Sequence, residues 1–164
     1  YVPVQSWMYN YTYFNLWDAD NTDVSSNRSN NDGPTIKTVY DPSPAGFKVP
    51  ATNAFTGFTT TGGNVESLNQ INTSQTYNGS VLQRNMGYVL WTNGNHNKTI
   101  YLPAAGRRDQ ITGDVTGLAD YGQYTVASPT TVGSSGLMIF NHVSFKPLLD
   151  TWRCTGSAVR PVAE

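Results

Sequence analysis

Cysteine is almost missing from this chain of 164 residues: Cys154 stands alone, which excludes an internal disulfide and a cysteine-based zinc cluster. Charge is scarce too. Asp, Glu, Lys and Arg make up 13% of the residues and the formal net charge is -1, against ~25% charged residues in an average globular protein. That balance argues against a nucleic-acid partner, which would require a basic face to neutralise phosphates. Glutamate occurs only at Glu66 and Glu164, which thins the case for a paired-carboxylate hydrolase. His96 and His142 are the only imidazoles and lie far apart in the chain. No apolar run approaches the ~18 residues of a membrane-spanning helix, and neither a phosphate-cradling nor a dinucleotide glycine motif occurs.

Aromatics (12%), 15 glycines and 9 prolines are present, and Asn, Ser and Thr supply the polarity that charge does not. This is a turn-rich, strand-leaning composition with too many aromatics for a disordered chain, and its length suits one domain with its own core. The chain opens on Tyr1 without Met or an apolar leader and reads as a mature or excised fragment of a longer protein.

Aromatics crowd residues 7–17, and a polar loop over 18–35 follows. Within it, Asp18-Ala19-Asp20-Asn21-Thr22-Asp23 resembles the start of a calcium loop, but the sixth position lacks glycine and no bidentate Glu follows. A solvated turn with Asx hydrogen bonds is the favoured reading, and no cofactor or metal is expected. The spacing predicts one short helix over Ala51–Thr59, with Thr52 or Asn53 as N-cap and Ala54, Phe55 and Phe58 on one face. Strands are expected at Gly87–Trp91 and Thr99–Leu102, flanking Asn93-Gly94-Asn95 as a hairpin signal, and near 122–128, 136–140 and 157–162. The fold class expected is α+β, loop-rich, with a small twisted antiparallel sheet and one or two short helices.

The stretch 125–157 follows no clean period after Ile139. Its plain reading is a core loop that buries Leu and Trp. Its functional reading is a contact surface on which Leu148, Leu149 and Trp152 are desolvated anchors and Thr, Asp and His add adaptable hydrogen bonds. Cys154 beside Arg153 has no histidine near it in sequence to serve as a base, so a nucleophilic role has little support.

Three segments carry a resemblance. Val39-Tyr40-Asp41-Pro42-Ser43-Pro44-Ala45-Gly46-Phe47-Lys48-Val49-Pro50 resembles the signature of FISUMP-type domains at the C-terminal end of Bacteroides-type fimbrillin-like surface proteins, with Ser43 in place of Cys and Phe47 in place of Trp. Leu102-Pro103-Ala104-Ala105-Gly106-Arg107 and the closing Arg153-to-Val162 segment are similar to two further elements of that family, in the same order; Asn15-to-Asn21 is similar to a family opening. Thr125-Val126 stands where the family commonly has Trp-Ser. The resemblance implies a single C-type-lectin-like ligand-binding domain over residues 1–164, like the variable proteins of diversity-generating retroelements. It further implies that the surface is diversified at Thr125, Val126, Ile139, His142, Phe145, Lys146, Leu148, Leu149, Asp150, Trp152, Cys154 and Thr155. Arg153 and Arg160 would then hydrogen-bond within the frame.

The function so implied is a non-enzymatic adhesion module at a bacterial cell surface or fimbrium. Its partner would be an unidentified protein or glycan on a cell or phage-host surface, with pilus subunits as further partners, and with no nucleic acid and no direct membrane insertion. The alternatives are a structural pilin domain without a ligand, or a calcium-dependent lectin. The lectin is discounted because Glu-Pro-Asn, Gln-Pro-Asp and Trp-Asn-Asp triplets do not occur. An oxidase of the formylglycine-generating kind shares the fold class but relies on a cysteine pair.

Overall fold

The three-stranded antiparallel sheet at the centre of the protein is built from consecutive hairpins near the end of the chain. A computed structural model describes residues 17–19, 33–74, 86–131 and 134–164. The aromatic run 7–17, apart from Trp17, and most of the 18–35 loop lie outside the described residues, as do Asp20, Asn21, Thr22 and Asp23. In chain order the strands are β1 (Phe47–Lys48), β2 (Gly87–Trp91), β3 (Thr99–Pro103), β4 (Arg107–Arg108), β5 (Val115–Thr116), β6 (Gly122–Thr131), β7 (Ser134–Phe140), β8 (Phe145–Trp152) and β9 (Val162–Ala163). The order β6-β7-β8 forms the main sheet, and β1-β9, β2-β3 and β4-β5 form two-stranded antiparallel pairs. The architecture is thus loop-rich and dominated by small antiparallel sheets, with short helical pieces, as expected in outline. None of the described helices is long and apolar enough to cross a membrane.

Paired residues in an antiparallel ladder share a face of the sheet, and the register assigns the core to one side. Gly122, Phe140 and Phe145 lie in one row, and Tyr124 pairs with Met138 on the same side. Phe140 stacks on Phe145 (5.8 Å between centroids, 5° between planes), and Tyr88 of β2 meets both rings edge-on at 5.1 Å and 6.2 Å. Tyr124 stacks on Phe140 from its other neighbouring strand at 6.2 Å. Gly122 lies against the Phe140 ring so closely that a Cβ there would overlap it. Both buried tyrosines satisfy their hydroxyls: Tyr88 Oη donates to the Asn141 carbonyl (3.0 Å) and Tyr124 Oη to the Pro103 carbonyl (2.7 Å). Leu90, Leu102, Val65 and Ile71 complete the cluster.

Three expectations need correcting. The predicted helix exists over Thr52–Phe58 but is a 3-10 helix, with Ala54 N donating to Ala51 O and Thr59 N to Thr56 O. Ala51 is its N-cap and no side chain caps it, so neither Thr52 nor Asn53 fills that role. Thr, Asn and Gly at its centre are weak α-formers, and the 3.0-residue turn aligns Phe55 with Phe58 toward the core while Ala54 stays exposed. The aperiodic stretch after Ile139, read either as a core loop or as a contact surface, contains β8. A β-bulge between the Leu137 and Ile139 pairs sets both Pro147 and Leu148 opposite Met138, which erases the period of two. Over 157–162 no continuous strand forms; Ala158 makes a parallel bridge to Tyr124, and Val162 enters β9.

The Asp-Pro-Ser-Pro segment is ordered by two side chains. The buried Asp41 carboxylate accepts from Ser43 N (2.7 Å) and Val49 N (2.9 Å), and Lys37 Nζ donates to the carbonyls of Ser43, Pro44 and Phe47. An anion thus collects the N–H groups of the turn, a cation collects its carbonyls, and β1 is delivered to β9.

Phe140→Ala removes the ring shared by four strands and should cost ~3–5 kcal/mol, read as a lowered midpoint in denaturant. Burial raises the Tyr124 phenol well above its ordinary value of 10.0. Because the unfolded phenol ionises first, the stabilisation is complete below ~pH 10 and is lost as pH rises above it. Alkaline unfolding followed at several pH values should show that loss, and Tyr124→Phe should diminish it.

Candidate functional site

The surface expected to bind is carried by β6, β7 and β8 with the turns that follow β7 and β8, and the register divides its paired strand residues between the two faces. One row places Thr125, Leu137 and Leu149 side by side, and the next places Gln123, Ile139 and Lys146 together. Thr125, Ile139, Lys146 and Leu149 therefore share the face opposite the aromatic core. Val126, Phe145, Asp150 and Trp152 fall on the core side. Val126 and Phe145 are fully buried there, at 1% and 0% exposure, and their inclusion in a ligand surface is a correction: both are packing residues. Asp150 and Trp152 escape burial because they pair with Gly136 and Ser134, where the core side has run out of large side chains. Trp152 is 64% exposed.

Burial also removes Thr125 and Thr155 from direct contact with a ligand. Thr125 N donates to Ala158 O (3.0 Å), and Thr155 N donates to Trp152 O (3.0 Å), closing the turn after β8. The Thr155 hydroxyl donates to Gln110 Oε1 at 3.3 Å. Ile139, Lys146, Leu148, Leu149 and Cys154 are half-buried, while His142 and Asp150 are exposed. Lys146 Nζ is paired with Glu66 Oε1 at 2.5 Å.

The backbone beneath these side chains is held by residues of other kinds. Asn64 mimics a strand against the outer edge of β8, donating through Nδ2 to Leu148 O and accepting from Leu148 N through Oδ1, both at 3.0 Å. Val65 and Phe145 exchange two backbone bonds beside it, so the edge is covered over Phe145 and Leu148. Asn141 Oδ1 accepts from Val143 N, Ser144 N and Ser144 Oγ and fixes the β7–β8 turn with His142 and Val143 at its exposed tip. Arg153 Nε donates to Ser134 O (3.0 Å), the framework role expected of it, whereas Arg160 is exposed.

The turn tip and Trp152 mark opposite ends of β8, whose eight residues span roughly 23 Å at ~3.3 Å per residue. No group of three or more His, Cys, Asp or Glu side chains suited to a metal occurs among the described residues.

Sequence reasoning missed two things. Asn64 lies 84 positions from Leu148, a separation at which no local pattern signals a contact. A cleft between the 3-10 helix and the β2–β3 turn, lined by Trp91 and His96 among others, also went unassigned, because Asn93-Gly94-Asn95 reads as turn chemistry alone. No protein-family model, no curated protein and no solved structure matches this chain.

Trp152→Ala should leave the unfolding midpoint within about 0.5 kcal/mol of the parent, whereas Val126→Ala should lower it by ~1–3 kcal/mol. Denaturant titration of the two variants side by side reads the difference. Asn64→Ala should loosen β8 selectively, seen as faster amide exchange at Leu148 with little change at Met138.

Proposed function

We propose that this chain is a non-enzymatic, C-type-lectin-like ligand-binding domain of a bacterial surface or fimbrial protein, whose β7–β8 surface is diversified by a retroelement. The observation that supports this most directly is a division of labour along one hairpin. Glycine, asparagine and arginine at Gly122, Gly136, Asn141 and Arg153 hold the backbone through contacts few other residues could make. Between and beside them, Ile139, His142, Lys146, Leu148, Leu149, Asp150, Trp152 and Cys154 are exposed or half-buried and differ in chemistry without a pattern. Side chains on such a frame are exchangeable with little effect on folding. The rigid backbone lowers the ordering cost of binding.

The ligand in this reading is a macromolecular surface. Trp152 is the anchor of one face, with Asp150 two residues away on the same side; Leu149 presents an apolar contact on the other face, and His142 adds a polar contact at the turn tip. The Asp-Pro-Ser-Pro-Ala-Gly segment, whose sequence resembles FISUMP-type domains, is held by the buried Asp41 carboxylate and the Lys37 ammonium.

Sequencing the gene codon by codon across many cells of its source population tests the proposal. Substitutions should concentrate between 123 and 157, at adenine-bearing template positions, and fall on the exposed and half-buried residues named above. Gly122, Gly136, Asn141 and Arg153 should stay constant, and Val126 and Phe145 should vary only among apolar residues. Substitutions spread evenly along the gene, or equally frequent at Gly122 and Trp152, would overturn the diversified reading and favour a structural pilin domain.

A further inference from the structure

The β2–β3 turn and the 3-10 helix form a concave site distant in sequence from the 123–157 surface. His96 stands in the left-handed region at φ 53, a conformation a non-glycine residue adopts only when its surroundings hold it. Here the turn supplies the hold. His96 N donates to Asn93 O (3.2 Å), Asn93 Nδ2 donates to Asn97 Oδ1 (2.6 Å), and Asn97 N donates to Asn93 Oδ1 (3.3 Å). The consequence is that the imidazole lies flat on the Trp91 indole, 5.2 Å between centroids and 17° between planes. Across the site Asn72 is equally fixed, its N donating to Phe58 O, its carbonyl accepting from Trp91 N, and its Nδ2 donating to Gly57 O at 2.8 Å.

These residues line an open cleft of about 440 Å³, bounded by Ala54, Gly57, Phe58, Asn72, Trp91, Thr92, Asn93, Gly94 and His96. That volume is in the range of small-molecule sites, ~300–1,000 Å³. Among the described residues, no aspartate, glutamate, lysine or arginine lines it. We propose that this cleft binds one ring of a neutral saccharide, its apolar C–H face against the aromatic wall of Trp91, His96 and Phe58 and its hydroxyls on Asn72, Thr92 and Asn93. The lining selects among ligand classes. A charged ligand would find no counter-charge among the described lining residues, and a purely apolar one would offer no partner to the hydrogen-bonding capacity that Asn72, Thr92 and Asn93 keep beyond their bonds within the protein. A pyranose ring offers a flat apolar face and rim hydroxyls that both donate and accept, which matches amide and hydroxyl partners. The site uses none of the residues assigned to the diversified surface, so either proposal can fail alone.

The chain has two histidines, and they report separately: His96 lines the cleft and His142 sits at the β7–β8 turn tip. Titrating the full chain with methyl hexosides and neutral oligosaccharides, followed by imidazole NMR, should give a saturable shift at His96 with His142 unmoved, at Kd values of ~1 mM. Gly57→Leu plugs the cleft from a position where an added Cβ meets nothing within 4 Å, and should abolish the shift with the unfolding midpoint retained. His96→Ala, read by tryptophan fluorescence, should weaken binding about tenfold. No saccharide in the panel moving His96, a shift confined to His142, or unchanged binding by a folded Gly57→Leu would each overturn the proposal. So would saturation by tetramethylammonium in place of the saccharides, which would mark a cation cage instead.

Discussion

The close approach of Gly122 to the Phe140 ring is the constraint on which the rest of the structure depends. Because the glycine has no Cβ, the ring lies flat over β6 and meets Phe145 on β8 and Tyr88 on β2 at the same time. Three strands of the main sheet and a separate hairpin are thereby tied to one aromatic cluster. The 3-10 helix joins it through Phe58, whose ring meets Phe145 edge-on at 6.1 Å. Small paired strands are marginal alone, since a two-stranded hairpin buries too little to be stable in water. Attachment to one shared core is what gives β2–β3 its fixed place.

With little charge to deploy, the chain uses short polar side chains as substitutes for backbone. Asn64 adds to the ladder of β8, Asn141 closes the β7–β8 turn, Asn93 closes the β2–β3 turn, and Asp41 gathers the N–H groups of the Pro-rich segment. Asn and Asp suit this because their short planar groups meet backbone N–H and C=O groups, near or far in the chain, with little side-chain entropy to lose. The same economy accounts for both candidate sites. Their exposed side chains rest on backbone already satisfied by framework residues, so neither surface must order itself on binding.

The two sites differ in what holds them. On β7–β8 the frame is carried by residues between the displayed ones, and the displayed side chains contribute little to it. In the Trp91–His96 cleft the displayed rings are themselves part of the frame: the positive φ of His96 and the stack on Trp91 arise together. A surface of the first kind tolerates sequence change. One of the second kind does not, and the saccharide reading belongs with a constant site.

The sequence by itself determined the strand-rich class, the β2, β3, β6 and β7 segments and the turn at the Pro-rich motif, because apolar runs and Gly, Pro and Asn act over a few residues. It also singled out 139–155 as a segment with no simple period. Only the tertiary structure decided why. A bulge opposite Met138 shifts β8 by one residue, so Phe145 faces the core, Leu149 faces the other side, and Trp152 emerges beyond Gly136 into solvent. Val126 and Phe145 looked as exchangeable as Leu149 in the sequence, since which face a residue occupies depends on pairing with a distant strand and changes with every one-residue slip. The Asn64 clamp and the cleft around Trp91 were hidden for the same reason: their partners are far apart in the chain and meet only when the shared aromatic core brings them together.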